Sequence, residues 1–232
     1  MKKLAKNILK KLGYTIRKTS FTNELESIYE EFYNFTMIPQ PIYISNLILV
    51  NEHVEKLDGD VVECGVWRGG MIAGIAALLG KDRTYHLFDS FEGLPQAQEV
   101  DGKAAIEWQS NPKGKNYFDN CTAEISYAEE AMKIAKASNV TIHKGWFEDT
   151  LPKASFGKSI ALLRLDGDWY DSTMVCLKNL YPSVKKGGLV IIDDYYAWDG
   201  CSRAVHDYLS SIKSSSRISS YNNICYIIKN DE

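Results

Sequence analysis

Four aspartates stand in two short groups, Asp166-Gly167-Asp168 and Asp193-Asp194, each directly behind a run of Val, Ile and Leu. Carboxylates crowded within a few Å cannot all stay ionised unless a cation neutralises them. Oxygen-only ligands favour Mg²⁺ or Mn²⁺ over Zn²⁺, and Asp166, Asp193 and Asp194 as ligands would leave open positions for two substrate oxygens. A hydroxyl on such a cation becomes more acidic and is held in one place, so the pattern suits activation of an oxygen nucleophile. Asp168, if not itself a ligand, is the nearest candidate base for the departing proton. Two other uses stay open. Any single aspartate here could cap a helix, and Asp166-Gly167-Asp168 also reads as a D-x-D motif for a metal-bound nucleoside diphosphate, as in a glycosyltransferase.

Two further groups would bind an adenosine-type cofactor. Glu63-Cys64-Gly65-Val66-Trp67-Arg68-Gly69-Gly70 closes a strand with glycines that let backbone amides approach a ligand at the start of a helix. It lacks the full G-x-G-x-x-G fingerprint of dinucleotide enzymes, which argues against a nicotinamide dehydrogenase. About twenty residues on, Asp89 in Phe88-Asp89-Ser90-Phe91 is placed to accept from both ribose hydroxyls. Trp146 and Phe147 follow a third strand and can stack on a purine or fill the core. His86, His143 and His206 fall within regular elements and read as structural.

These groups need strand ends to carry them. Short apolar runs at Val61–Cys64, Tyr85–Phe88, Val140–His143, Ile160–Leu165 and Leu189–Ile192 alternate with helical stretches. This is the pattern of a doubly wound α/β domain on a mostly parallel sheet, whose ligands bind beyond the carboxyl ends of the strands. Residues 1–57 read as an N-terminal helical extension, with helices at Asn23–Phe35 and Ser45–Lys56 interrupted at Pro39 and Pro41, and residues 58–232 as the catalytic domain. Gly93 to Asn120 is polar, without period and long for a connection, so a lid or a disordered loop is expected. Arg217 to Lys229 reads as an antiparallel hairpin turning at Asn222-Asn223 on the sheet edge.

Composition narrows the classes. The 232 residues are 45% hydrophobic and 25% charged with a net charge of −3, which suits one sizeable core and gives no basic surface for nucleic acid. Five cysteines without metal or disulfide spacing suggest a reduced, cytoplasmic protein. Lys2, Lys3, Lys6, Lys10, Lys11, Arg17 and Lys18 surround Leu4, Ile8, Leu9 and Leu12. Residues 1–18 could therefore touch an anionic membrane face peripherally, pack on their own domain, or pair protomers into a homo-oligomer.

In ordered blocks the chain resembles the macrocin O-methyltransferase (TylF-type) family, which methylates sugar hydroxyls of macrolides and related natural products. The blocks are Thr36-Met37, Val62–Gly70, Phe88–Phe91, Gly145–Phe147, Leu163–Asp168, Gly188–Tyr195 and Ala204–Tyr208. The resemblance implies a class I methyltransferase fold and transfer of the S-adenosylmethionine methyl group to a sugar hydroxyl. It implies S-adenosylmethionine contacts at Thr36, Met37, Glu63, Gly65, Val66, Trp67, Arg68, Gly70, Asp89, Ser90, Phe91, Trp146, Phe147 and Asp166. It places Mg²⁺ on Asp166, Asp193 and Asp194, with Asp166 and Asp168 as the catalytic pair. The 27-residue separation of Asp166 from Asp193 is close to that of catechol-type methyltransferases, which chelate a vicinal diol. Their lysine base, three residues after the first aspartate, is replaced here by Trp169. Gln96 to Asn120, Tyr196, Trp198 and Cys201 depart from the macrolide pattern. The implied acceptor is thus a small molecule or glycan bearing a sugar hydroxyl, on a glycan precursor or glycosylated metabolite. A binding protein that keeps the scaffold without the activity is the competing expectation.

Overall fold

A computed structural model describes residues 14–115 and 117–231. Most of the basic N-terminal segment lies outside the described residues. Two helices, α1 (Tyr14–Phe32) and α2 (Gln40–Val54), lead into β1 (Asp60–Cys64) and α3 (Gly70–Leu79). Then come β2 (Thr84–Asp89), α4 (Lys103–Ser110), α5 (Ile125–Ile134), β3 (Asn139–Lys144) and the one-turn α6 (Phe147–Thr150). The chain ends with β4 (Ile160–Leu165), α7 (Tyr170–Leu180), β5 (Val184–Ile192), α8 (Asp199–Ser211), β6 (Arg217–Tyr221) and β7 (Ile224–Ile228).

The seven strands form one sheet in the order β3-β2-β1-β4-β5-β7-β6. The first five are parallel, and β7 runs antiparallel to both β5 and β6. The hairpin turns at Asn222 and Asn223, both with positive φ, as a type I′ turn requires. Every residue of β1 and β4 is buried, which is why neither shows the strict apolar-polar alternation of a strand with one wet face. β1 and β4 are adjacent at the reversal of strand order, so their carboxyl ends open the crevice where ligands bind.

A helix layer covers each face. Ile72 and Ile75 of α3 join Leu25, Phe32, Leu47 and Val50 of the N-terminal helices in one core cluster. On the other face Leu177 and Leu180 of α7 pack with Val205 and Tyr208 of α8. Each such large side chain contributes about 1.5–3 kcal/mol on burial. The N-terminal helices thus share the core of the sheet rather than standing apart from it. Pro39 is the cap of α2 and Pro41 lies in its first turn, where a missing N–H costs nothing, so the prolines start this helix instead of interrupting it.

The described residues of the segment after β2 are tied together by hydrogen bonds. Asn120 Nδ2 donates to the Leu94 carbonyl at 2.8 Å while Leu94 N–H donates to the Asn120 carbonyl at 2.9 Å. The Gln109 amide bridges Ala97 N–H and the Pro95 carbonyl. Its polar residues carry no period because they bond to one another across the loop, with α4 held between. Among the described residues no helix is long and apolar enough to cross a membrane.

Candidate active site

A cavity of about 590 Å³ opens at the carboxyl ends of the parallel strands. Gly65, after β1, forms part of its wall. Its φ of +84° is in glycine's range, and a Cβ there would overlap the Asp166 carbonyl. Gly65 N–H donates to the Phe88 carbonyl and Asp166 N–H to the Cys64 carbonyl, both at 2.8 Å. The ends of β1, β2 and β4 are therefore tied together at the cavity floor.

Asp89 secures the turn. One carboxylate oxygen accepts from the backbone N–H groups of Val66 and Trp67, each at 2.8 Å, and the other from Phe91 N–H at 2.7 Å. Burial pushes its pKa up while these amides pull it down, the net direction being up. Asp89, Ser90, Met37, Trp67, Trp146 and Phe147 face the cavity with Gly65. Val66, Gly70 and Phe91 are instead packed in the interior, and Thr36 accepts from Ile38 N–H in the turn before α2. Arg68 stacks its guanidinium between the rings of Trp67 and Tyr127.

Arg164, the side chain whose role sequence reasoning did not assign, organises the acidic end. It lies within a wholly buried strand and is 1% exposed. It donates to Glu63 at 2.6 Å, to Asp166 at 2.7 Å, and from its other terminal nitrogen to Asp193. Burial works against its charge, yet Asp193, Asp166 and Glu63 together hold its pKa well above the ordinary value. The signal was available: an arginine in the run Ile-Ala-Leu-Leu-Arg-Leu must bring its own counter-charges. Glu63 is sealed behind it rather than lining the cavity, and burial pushes its carboxyl up to about 7 despite Arg164.

Asp166, Asp168 and Asp194 present carboxylate oxygens within 4.8 Å of one another. Asp193 is directed to Arg164 instead. Each of the four acids has one oxygen held: Asp166 and Asp193 by Arg164, Asp168 by Trp198 Nε1 at 2.8 Å, and Asp194 by Asp168 N–H at 3.0 Å. These contacts do not draw on the second oxygen of each. Burial and then Asp166 push Asp168 up to about 8. Burial, opposed by Arg164, raises Asp193 to about 6, and Asp194 is raised by burial and by Asp168. One guanidinium for this many carboxylates leaves negative charge uncompensated, and an all-oxygen set of this kind matches Mg²⁺ or Mn²⁺.

His206 Nε2 lies 2.9 Å from the Tyr195 hydroxyl. His86 and His143 are paired within the sheet at 3.3 Å.

The strand order, the glycine turn after β1 and the acid after β2 define a class I methyltransferase fold. A model of the macrocin O-methyltransferase (TylF) family matches residues 33–229, and the chain belongs to that family. It is 39% identical over 161 residues to a demethyldecarbamoylnovobiocin O-methyltransferase of Streptomyces niveus, a match covering 66% of this chain and 59% of the relative. It is also 39% identical over 158 residues, with the same coverage, to an 8-demethyl-8-(2,3-dimethoxy-alpha-L-rhamnosyl)-tetracenomycin-C 4'-O-methyltransferase of Streptomyces olivaceus. The match thus spans less than two thirds of these relatives. The solved structure of the O-methyltransferase NovP superposes with a TM-score of 0.69 at 31% identity, covering 85% of this chain and 83% of that one.

Proposed function

We propose that this chain transfers the methyl group of S-adenosylmethionine to a hydroxyl of a sugar carried by a small molecule or glycan. Mg²⁺ or Mn²⁺ would be held by Asp166 and Asp194 together with Asp193, as the family resemblance implies, or with Asp168, whose carboxylate lies with theirs. The observation that carries this reading is a single cavity bounded both by the glycine turn with Asp89 and by the acids after β4. A D-x-D glycosyltransferase would leave the first half of that wall without a use. The names of the two curated relatives, both O-methyltransferases and one acting on a rhamnosyl group, support the same chemistry.

When bound, S-adenosylmethionine supplies an electrophilic methyl and the cation makes the acceptor hydroxyl more acidic. The protein's share is positioning. Gly65 leaves room beside the strand ends, and Asp89 aligns the loop amides. Trp146 and Phe147 offer apolar surface to a purine. Arg164 holds one oxygen of Asp166 and one of Asp193, as hydrogen-bond partners behind metal ligands do, and so fixes how these two carboxylates are turned. Asp168 receives the hydroxyl proton. The 93–121 segment covers the reacting groups from water. A vicinal diol would offer the cation two oxygens.

The lining also selects by charge. It includes Asp89, Asp101, Glu148, Asp166, Asp168 and Asp171 and, among the described residues, no lysine, arginine or histidine. Six acids outweigh one divalent cation and one sulfonium, which favours an acceptor that is neutral or cationic around the methylated ring.

Incubation with labelled S-adenosylmethionine, Mg²⁺ and a panel of glycosides, with and without EDTA, tests the reading. Label should pass to a glycoside and EDTA should stop it. EDTA-insensitive transfer would eliminate the cation, and no transfer to any hydroxyl acceptor would eliminate the activity.

A further inference from the structure

The two stretches that depart from the macrolide pattern, the 96–120 segment and the turn around Trp198, meet in space. Trp108 of α4 packs edge-on against both Trp198 and Trp169, with ring centroids 6.0 and 6.2 Å away, and Trp169 and Trp198 are 5.3 Å apart. The two indole N–H groups take different partners. Trp198 Nε1 donates to Asp168 at 2.8 Å, whereas Trp169 Nε1 donates to the Pro95 carbonyl of the covering segment at 2.9 Å. A second tie lies close by. Asp101, 2% exposed, accepts from Tyr170 N–H at 2.7 Å, and a Cβ on Gly200 would collide with it.

Asp168 needs such support. It has a φ of +58°, and Trp169 N–H bonds back to the Gly167 carbonyl, which makes it the centre of a strained γ-turn. Nothing in that backbone fixes where its carboxylate points. Trp198 does so by holding one oxygen, and Trp198 is itself wedged in place by a residue of the covering segment. Neither Trp198 nor Trp108 is part of the cavity wall, so both act through Asp168.

We propose that Trp198 is the positioning residue for Asp168 and that Trp108 couples it to the covering segment. Seating that segment over an acceptor then aligns the proton-accepting carboxylate in the same event. This rests on the methyl-transfer reading with Asp168 as base. Its consequence is that the covering segment governs turnover as well as acceptor binding.

The test compares the full-length wild-type protein with Trp198→Phe, Trp108→Leu and Asp168→Ala, using S-adenosylmethionine and a glycoside that the wild type methylates. Trp198→Phe keeps the ring and removes the donor. It is expected to lower kcat about tenfold or more at saturating acceptor, a loss within the range that a positioned base contributes. Affinity for S-adenosylmethionine, measured by calorimetry, should stay within twofold. Trp108→Leu is expected to lower kcat and raise the acceptor KM together. Adding Trp198→Phe to Asp168→Ala should cost no further rate, because coupled residues are not additive. The relay is overturned if Trp198→Phe leaves kcat within twofold of wild type, or if it lowers the rate equally with and without Asp168. Full activity in Asp168→Ala would instead overturn the base assignment, and absence of wild-type transfer the function itself.

Discussion

Arg164 reaches Glu63 at 2.6 Å with both side chains almost completely sealed from solvent. The contact joins the end of β1, where the glycine turn begins, to β4, where the acids begin. Through its remaining N–H groups the same guanidinium holds Asp166 and Asp193. The two halves of the site are thus braced by one buried cation, and removing it strands several carboxylates at once.

Arg164→Leu should destabilise the fold by about 3–5 kcal/mol, the cost of breaking a buried pair from one side. Lysine should not rescue it, since a point charge cannot serve three carboxylates placed around a planar fork. Urea denaturation of the two variants checks both statements. A loss under about 1 kcal/mol for Arg164→Leu would show that water or rearrangement compensates the acids.

Gly65→Ala should abolish S-adenosylmethionine binding and lower the melting temperature. The position combines positive φ with direct overlap of an added Cβ on the Asp166 carbonyl, so backbone strain and displacement of Asp166 come together. Gly80→Ala, where φ is also positive but the space is open, is the control. It should cost stability alone and leave cofactor binding by calorimetry intact.

Neutral and amine-bearing glycosides should be methylated in preference to nucleoside-diphosphate sugars carrying the same ring. Bringing a diphosphate beside the six cavity carboxylates costs repulsion that one divalent cation would offset only in part, the described lining having no basic side chain. Competition between a neutral glycoside and its diphosphate-activated counterpart, read by mass spectrometry, would contradict this if the activated sugar won.

His86 supplies a pH dependence of stability. It is 5% exposed, and burial lowers its pKa from 6.5, partly opposed by Asp60; burial and then His86 lower that of neighbouring His143. The unfolded chain therefore takes up these protons first as pH falls. The contribution is fully present above about 6.5 and is lost progressively below it. His86→Phe should narrow the gap between melting temperatures at pH 7.5 and pH 5.5 relative to wild type. An unchanged gap would refute the assignment.

The five parallel strands, the closing hairpin and the placement of acids at strand ends were all legible in the sequence. Buried strands write continuous apolar runs, Asn-Asn marks a turn that needs positive φ, and a carboxylate behind such a run has few uses. The covering helix Lys103–Ser110 was not legible. Its order comes from Asn120, Gln109 and Asp101 bonding to partners 11 to 69 residues away, which leaves no local period to read.

The sequence by itself determined which chemical groups this protein has and that they meet at the carboxyl ends of the parallel strands, because strand alternation and topology do not depend on side-chain detail. Only the tertiary structure decided which acid faces which partner. It put Asp193 on Arg164, gathered Asp168 with Asp166 and Asp194, and set Trp198 behind Asp168. Those choices follow from burial, where each charge takes the nearest donor that can replace water, and that donor need not be near in the chain.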